Sequence, residues 1–246
     1  MLTLSTFTRL FAVAMAGIGL LQLIFRQVLI GRPAAIITNP PVVTAIAVLS
    51  ALALVVCALQ LWREYPKRGL FLATSLFILL FSGLSNLFII ISQADFGFSL
   101  TSFGKAITLG SALLLFSNLT ATGSPTWSFN LSRLCLGLFL IIGGVQHFLF
   151  ADFVKFLVPR WIPFELFLTY AAGVALITSG LSLVGNVKIN WIGLAAGWMV
   201  FVWFLILHVP RAIAEPNANE LTAVCESLAV SMVLFALSRI AQDRNP

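Results

Sequence analysis

Long apolar runs alternate with short breaks along the whole chain. Eight runs, over residues 7–30, 41–62, 69–93, 101–120, 130–151, 164–185, 189–209 and 218–239, read as helices. A helix needs about 20 apolar residues to cross a bilayer, so each run is long enough to be a span. Between them stand Asn39-Pro40-Pro41, the charged stretch from Arg63 to Arg68, residues 92–98, Gly123-Ser124-Pro125, Gly185-Asn186 and the stretch from Pro210 to Asn219. Pro lacks a donor, Gly and Asn suit helix ends, and charge resists burial, so these segments predict helix stops.

The pattern repeats. Arg9-Leu10 followed by Gly19-Leu20-Leu21-Gln22 matches Arg133-Leu134 followed by Gly143-Gly144-Val145-Gln146, at an offset of 124. Lys105 and Leu113 align with Glu226 and Leu234 at an offset of 121. The fold class predicted is all-α: a polytopic membrane bundle of eight helices, built as two parallel four-helix repeats over residues 1–121 and 130–246. An even number of helices per repeat keeps both copies in one orientation, unlike the inverted repeats of many transporters.

Composition agrees with a lipid solvent. Of 246 residues, 60% are hydrophobic and 9% charged, against about 25% charged in soluble domains. That excludes a soluble globular enzyme, a disordered chain and a disulfide-stapled domain. Residues 1–30 have the outline of a secretory signal, but the run continues past the small-residue site. The formal charge is +6. The cations stand at the ends of apolar runs and form no phosphate-tracking patch, so no nucleic acid is expected. Eight Lys and Arg fall on the side of the termini and six on the other. That bias predicts both termini in the cytoplasm; the membrane expected is a bacterial inner one.

Chemistry-bearing residues are few. His147 and His208 are the only histidines. Helical spacing puts His147 in line with Gly144, Leu140 and Gly137, and His208 with Phe204, Phe201, Gly197 and Gly193, so both face inward at similar depth. His147, Arg160, Trp161, Tyr170, His208 and Arg211 form a candidate ligand site able to hold an anion or the carbonyls of a quinone. The alternative is a pair of hydrogen-bonded histidines that only tie helices together. The segment from Gln146 to Pro163 is too aromatic for a solvated loop and reads as interfacial. Lys105 and Glu226 are ionisable groups within spans, predicted to form an intramembrane ion pair. Ser82, Ser85 and Asn86 share a helix face and, with Gln22, predict interhelical hydrogen bonds. The Tyr170, Gly173, Ile177 and Gly180 stripe predicts packing. Cys57, Cys135 and Cys225 lie in apolar runs and read as small core residues. No metal-ligand spacing occurs. There is no P-loop, Rossmann fingerprint, HExxH, GxSxG or CxxC, so no catalytic residue is assigned and activity by the chain alone is not expected.

Several of these residues also carry a resemblance. Gln146-His147-Phe148, then Val158-Pro159-Arg160-Trp161-Ile162-Pro163, Tyr170 to Ile177 with Gly180-Leu181, His208-Val209-Pro210-Arg211 and Glu226 to Val230 resemble, in order and spacing, the DoxX-like family of small four-helix membrane proteins. The first half keeps Gln22 and the Lys105 helix but not the Val-Pro-Arg-Trp-Ile-Pro segment or the histidines. It looks like a tandem duplication in which one copy kept the site. Some family members resemble subunits of thiosulfate:quinone oxidoreductases, others accompany oxidoreductases, and related proteins act in assembly. The resemblance thus implies an accessory subunit of a redox or other membrane complex. Its partners would be membrane lipid and other membrane proteins, with a quinone or lipid headgroup bound near the outer face. A structural or assembly protein without ligand chemistry, and a small-molecule transporter, stand as alternatives.

Overall fold

The computed structural model describes residues 3–35, 37–119 and 126–244. Eight helices long and apolar enough to cross a membrane make up the bundle: α1 Leu4–Phe25, α2 Pro40–Trp62, α3 Arg68–Gln93, α4 Phe98–Leu119, α5 Thr126–Leu149, α6 Glu165–Gly185, α7 Ile189–Ala214 and α8 Ala218–Arg244. With eight spans both termini lie at one end, called here the proximal end. The Gly123-Ser124-Pro125 break lies outside the described residues.

Local chemistry sets most boundaries. The Thr3 hydroxyl accepts from Thr6 N at the start of α1, and Asn39 accepts from Val42 N ahead of two prolines at the start of α2. Asp95 caps α4, accepting from Gly97 N at 3.1 Å, Ser99 N at 3.0 Å and the Ser99 hydroxyl at 2.7 Å.

Two boundaries differ from the sequence pattern. The first run was expected to be helical to residue 30, yet α1 ends at Phe25 with Arg26 in the left-handed region. The apolar residues that follow, Leu29 and Ile30, are buried in the core by a loop rather than by helix. The seventh run was expected to stop at residue 209, yet α7 continues to Ala214. Pro210 lacks an N–H and would clash with the preceding turn of a regular helix. A π-helical segment, Phe204–His208, widens the turn just before it. A second π segment, Ile78–Gly83, interrupts α3.

The packing order is crossed. α1 lies against α2 and α8, while α5 lies against α6 and α4. α4 and α8 are the most buried spans and touch at the centre. Phe11 stacks on Phe116 at 4.3 Å and Phe7 on Phe235 at 5.3 Å. The tightest crossing joins α5 to α6, where a Cβ on Gly144 would stand 2.7 Å from Gly173 O, and one on Gly180 2.6 Å from Gly137 O. No larger residue lets two backbones meet so closely. The Tyr170 stripe is therefore a packing face through Gly173 and Gly180. Gly193 and Gly197 likewise press on α8, at Leu234 O and Phe235.

Candidate functional site

The loop that follows α1 re-enters the bundle at the distal end. Its backbone polar groups leave water, so each needs a partner from protein. Gln22 provides two: its Oε1 accepts from Leu29 N at 3.0 Å and Ile30 N at 3.1 Å, while its Nε2 donates to the Ser50 hydroxyl at 2.9 Å. The Ser82 hydroxyl donates to Ile30 O at 2.8 Å. Asn86 Nδ2 lies 3.0 Å from both Gly31 O and Arg32 O. Ala34 N donates to the Ser85 hydroxyl at 3.1 Å. Ser82, Ser85 and Asn86 of α3, expected to bond another helix, therefore grip a loop; of the four residues in that expectation, Gln22 is the one that joins two spans. The π segment of α3 contains Ser82, so the irregular turn coincides with the grip. Gly31 has φ +62°, and a Cβ there would lie 2.7 Å from the Ala106 Cβ on α4.

This cradle delivers Arg32 to a buried carboxylate. Glu226 of α8 is 3% exposed; its Oε2 lies 2.6 Å from Lys105 Nζ on α4 and 4.0 Å from Arg32 Nη2. Arg32 Nη2 also donates to Asn219 O at 2.7 Å. Lys105 lies seven residues inside α4, roughly 10 Å along its axis. Burying a carboxylate costs several kcal/mol unless opposite charge and hydrogen bonds offset it. Here two cations face one anion, leaving one positive charge in excess. Two polar atoms of the cluster, Glu226 Oε1 and Arg32 Nε, are buried without a partner among the described residues. A buried donor without an acceptor is costly, and the group that fits Arg32 Nε is a carbonyl or anionic oxygen.

His208 ends the π segment of α7. Arg211 is engaged: its Nε and Nη2 meet the two oxygens of Glu220 at 3.2 and 2.7 Å, tying α7 to α8. Four more residues were expected at the ligand site. His147 Nδ1 donates to Gly143 O at 2.7 Å, one turn back on its own helix, and its ring stacks on Trp203. Tyr170 stacks on Phe148. Arg160 is exposed and Trp161 is 74% exposed. Of the six, His147 thus packs across to α7, Tyr170 packs on Phe148, Arg211 pairs with Glu220, and Arg160 and Trp161 are exposed.

Arg32 is the residue that sequence pattern missed. It stands just past an apolar run, where a cation reads as an ordinary interfacial anchor. The available signal was the surplus of amide and hydroxyl groups on α3, more than one helix contact requires.

Outside the spans, the Ser99 hydroxyl, with the backbone N–H groups of the cap, holds the Asp95 carboxyl below its ordinary range. Lys155, 2.7 Å away, does the same for Asp152. Between α5 and α6 the chain forms a short helix, Ala151–Lys155, that contains exposed Phe153 and is followed by exposed Phe156, Trp161 and Phe164. The described residues contain no group of three or more His, Cys, Asp or Glu able to hold a metal ion. Comparison with known proteins gives no match: no family model, no curated protein and no solved structure matches the chain.

Proposed function

We propose that this integral membrane protein is an accessory subunit of a redox or other membrane complex, and that it binds the oxygens of a quinone or an anionic lipid headgroup at its distal end. The observation that carries this is the charge cluster: Arg32 and Lys105 converge on the single carboxylate of Glu226, with one positive charge in excess and Arg32 Nε unpartnered. In this reading Arg32 and Lys105 hold the ligand oxygen, and Glu226 keeps both cations in place when the site is empty. A bound quinone would supply the redox chemistry, since the chain has no cofactor motif of its own.

The DoxX-like resemblance of the second half supports the subunit role. Three observations support the tandem repeat behind it. Both third spans contain a π segment. The aligned Lys105 and Glu226 meet each other. The aligned Arg9 and Arg133 each serve the proximal end of the next span: Arg9 bridges Glu64 and overlies Trp62, and Arg133 Nη1 donates to the carbonyls of Leu183 and Val184. The Lys and Arg bias supports cytoplasmic termini, and in a bacterial inner membrane the distal end is then the outer one. The exposed aromatic ledge from Phe153 to Phe164 favours a second reading, assembly, in which that ledge meets a neighbouring membrane protein or the headgroup layer.

The test is purification from the native membrane in mild detergent, with mass spectrometry of every protein, lipid and quinone that follows in stoichiometric amount. The expected result is an oxidoreductase partner and a quinone or anionic lipid, the small molecule being lost from the Arg32→Gln protein. A partner without any such molecule would leave the assembly reading. A chain that purifies alone and empty would overturn both.

A further inference from the structure

The proximal end of α2 carries a groove of about 410 Å³, a volume within the range of ligand clefts. Val56, Leu59, Gln60, Arg63 and Tyr65 line it. The first four stand at i, i+3, i+4 and i+7, so they share one helix face. Leu54, Cys57, Ala58 and Leu61, on another face, are buried in the core. Val56 and Leu59 are exposed and so open to the bilayer. From Val56 to Arg63 the groove face climbs about 10 Å along the axis. It passes from two aliphatic side chains within the span to an amide and a guanidinium at its end. Arg and Tyr at such an end stand at the headgroup level of a bilayer.

The loop after α2 completes the mouth. Glu64 takes a left-handed conformation, and Tyr65 N donates to Gln60 O at 3.0 Å. Lys67 N donates to Gln60 Oε1 at 2.7 Å. The chain is thereby folded back on the last turn of α2, which puts Tyr65 in the groove wall with Arg63. Glu64, the one acid between Arg63 and Arg68, is held by α1: its Oε1 accepts from the Ser5 hydroxyl at 2.8 Å and from Arg9 Nη2 at 3.2 Å. It is not part of the groove wall. Among the described residues, Arg63, Lys67 and Arg68 form no ion pair. The mouth thus has uncompensated positive charge above an apolar wall. Cations clustered directly beyond a span attract anionic lipid.

We infer that this groove binds one anionic phospholipid of the proximal leaflet. The phosphate accepts from the Arg63 guanidinium and the Tyr65 hydroxyl, and an acyl chain lies along Leu59 and Val56. Phosphate pairs with arginine through charge-assisted hydrogen bonds. The head contacts and the tail contacts belong to the walls of one groove. The excess positive charge favours a net anionic lipid over a zwitterionic one, whose ammonium group would face the same cations. The site lies at the opposite end of the bundle from the Arg32 cluster and does not depend on it.

The full chain in detergent at physiological salt is titrated with dioleoyl phosphatidylglycerol, dihexanoyl phosphatidylglycerol, dioleoyl phosphatidylcholine and glycerol 1-phosphate. Binding is read as slowed hydrogen exchange at the amides of Arg63, Glu64 and Tyr65, a signal local to this loop and separate from any lipid at the distal end. Dioleoyl phosphatidylglycerol is expected to bind first, at least about tenfold above its short-chain form, since each buried methylene adds to affinity. Arg63→Gln lowers its affinity about fivefold, the scale of one cation against an anionic headgroup, and Arg63→Lys restores part of that. Lys188→Gln, which removes an exposed cation at the same end between α6 and α7, changes it by less than about twofold, because salt screens exposed charges at a distance. Leu59→Trp, at an exposed wall position, removes the chain-length advantage. An equal loss in Lys188→Gln and Arg63→Gln would show diffuse attraction by the whole proximal end and overturn the inference. Equal binding of phosphatidylcholine and phosphatidylglycerol, or an unchanged Arg63→Gln, overturns it as well. Glycerol 1-phosphate binding as well as the dioleoyl lipid, or a Leu59→Trp protein that keeps its preference for long chains, removes the groove from the site. Protection that rises with protein concentration and not with lipid would put a second copy of the chain in the groove instead.

Discussion

Lys105 and Glu226 are 121 positions apart, yet Lys105 Nζ and Glu226 Oε2 lie 2.6 Å from each other where α4 meets α8. They are the positions that the proposed tandem repeat aligns, one a cation and the other an anion. A symmetric pair of like charges at that crossing would repel at short range in a medium of low dielectric. The opposite signs turn the same contact into an attraction between the two most buried spans. Arg32 then shifts the balance towards positive and gives the pair a third member.

The three charges are not equivalent, which orders the effects of removing them. Glu226→Gln strands two cations, whereas Lys105→Met leaves Glu226 with Arg32. Removing one partner of a buried pair costs about 3–5 kcal/mol. Glu226→Gln is expected near the upper end of that range and Lys105→Met below its lower end. Thermal unfolding in detergent measures the order; a larger loss in Lys105→Met contradicts the shared role of Arg32.

The loop cradle is the second target. Asn86 holds two loop carbonyls and Gln22 two loop N–H groups. Asn86→Leu leaves the carbonyls of Gly31 and Arg32 short of a donor, at a cost of about 1–3 kcal/mol. The damage should be local. Amide hydrogen exchange at Leu29 and Ile30 is expected to accelerate while α4 and α8 stay protected. Uniform acceleration across the bundle would mean that the loop is no separate element.

Gly31 tests the same loop through its backbone. Alanine there meets both the left-handed conformation and the Ala106 Cβ at 2.7 Å. The conformation alone costs about 1–2 kcal/mol, and the contact adds to it because α4 is a central span. Gly31→Ala should therefore lower the unfolding temperature and weaken the ligand binding proposed for Arg32 together. A stable Gly31→Ala protein with intact binding contradicts the placement of the loop against α4.

Most of the bundle was legible because span length and composition are properties of the bilayer, read directly from runs of apolar residues. Leu29 and Ile30 show where that reading stops. An apolar residue is buried equally well by a helix or by a cradled loop, so hydropathy does not separate the two. The Lys105–Glu226 contact was legible from the aligned positions and the high cost of lone charges in lipid. The third member was not, because Arg32 reaches Glu226 through a backbone excursion that leaves no periodic trace. His147 was legible in part: helical spacing assigns it an inward face, and its ring meets Trp203 of α7 while its Nδ1 proton goes to Gly143 O.

Asp95 gives a pH signature outside the membrane spans. Hydrogen bonds, led by that from the Ser99 hydroxyl, hold its carboxyl below the ordinary value of 3.8 in the folded chain. The unfolded chain binds the proton more readily, so the cap stabilises fully above that value. Its contribution is lost as pH falls through the lower folded value. Asp95→Asn keeps an acceptor but removes the charge that strengthens three hydrogen bonds and favours a helix start. The variant should unfold at a lower temperature than the parent at pH 7, and the gap should narrow as the pH drops below 3.8. Helix caps are worth about 1 kcal/mol, which sets the scale of the gap at neutral pH. A gap that stays constant through acid would show that the carboxylate charge takes no part in holding α4.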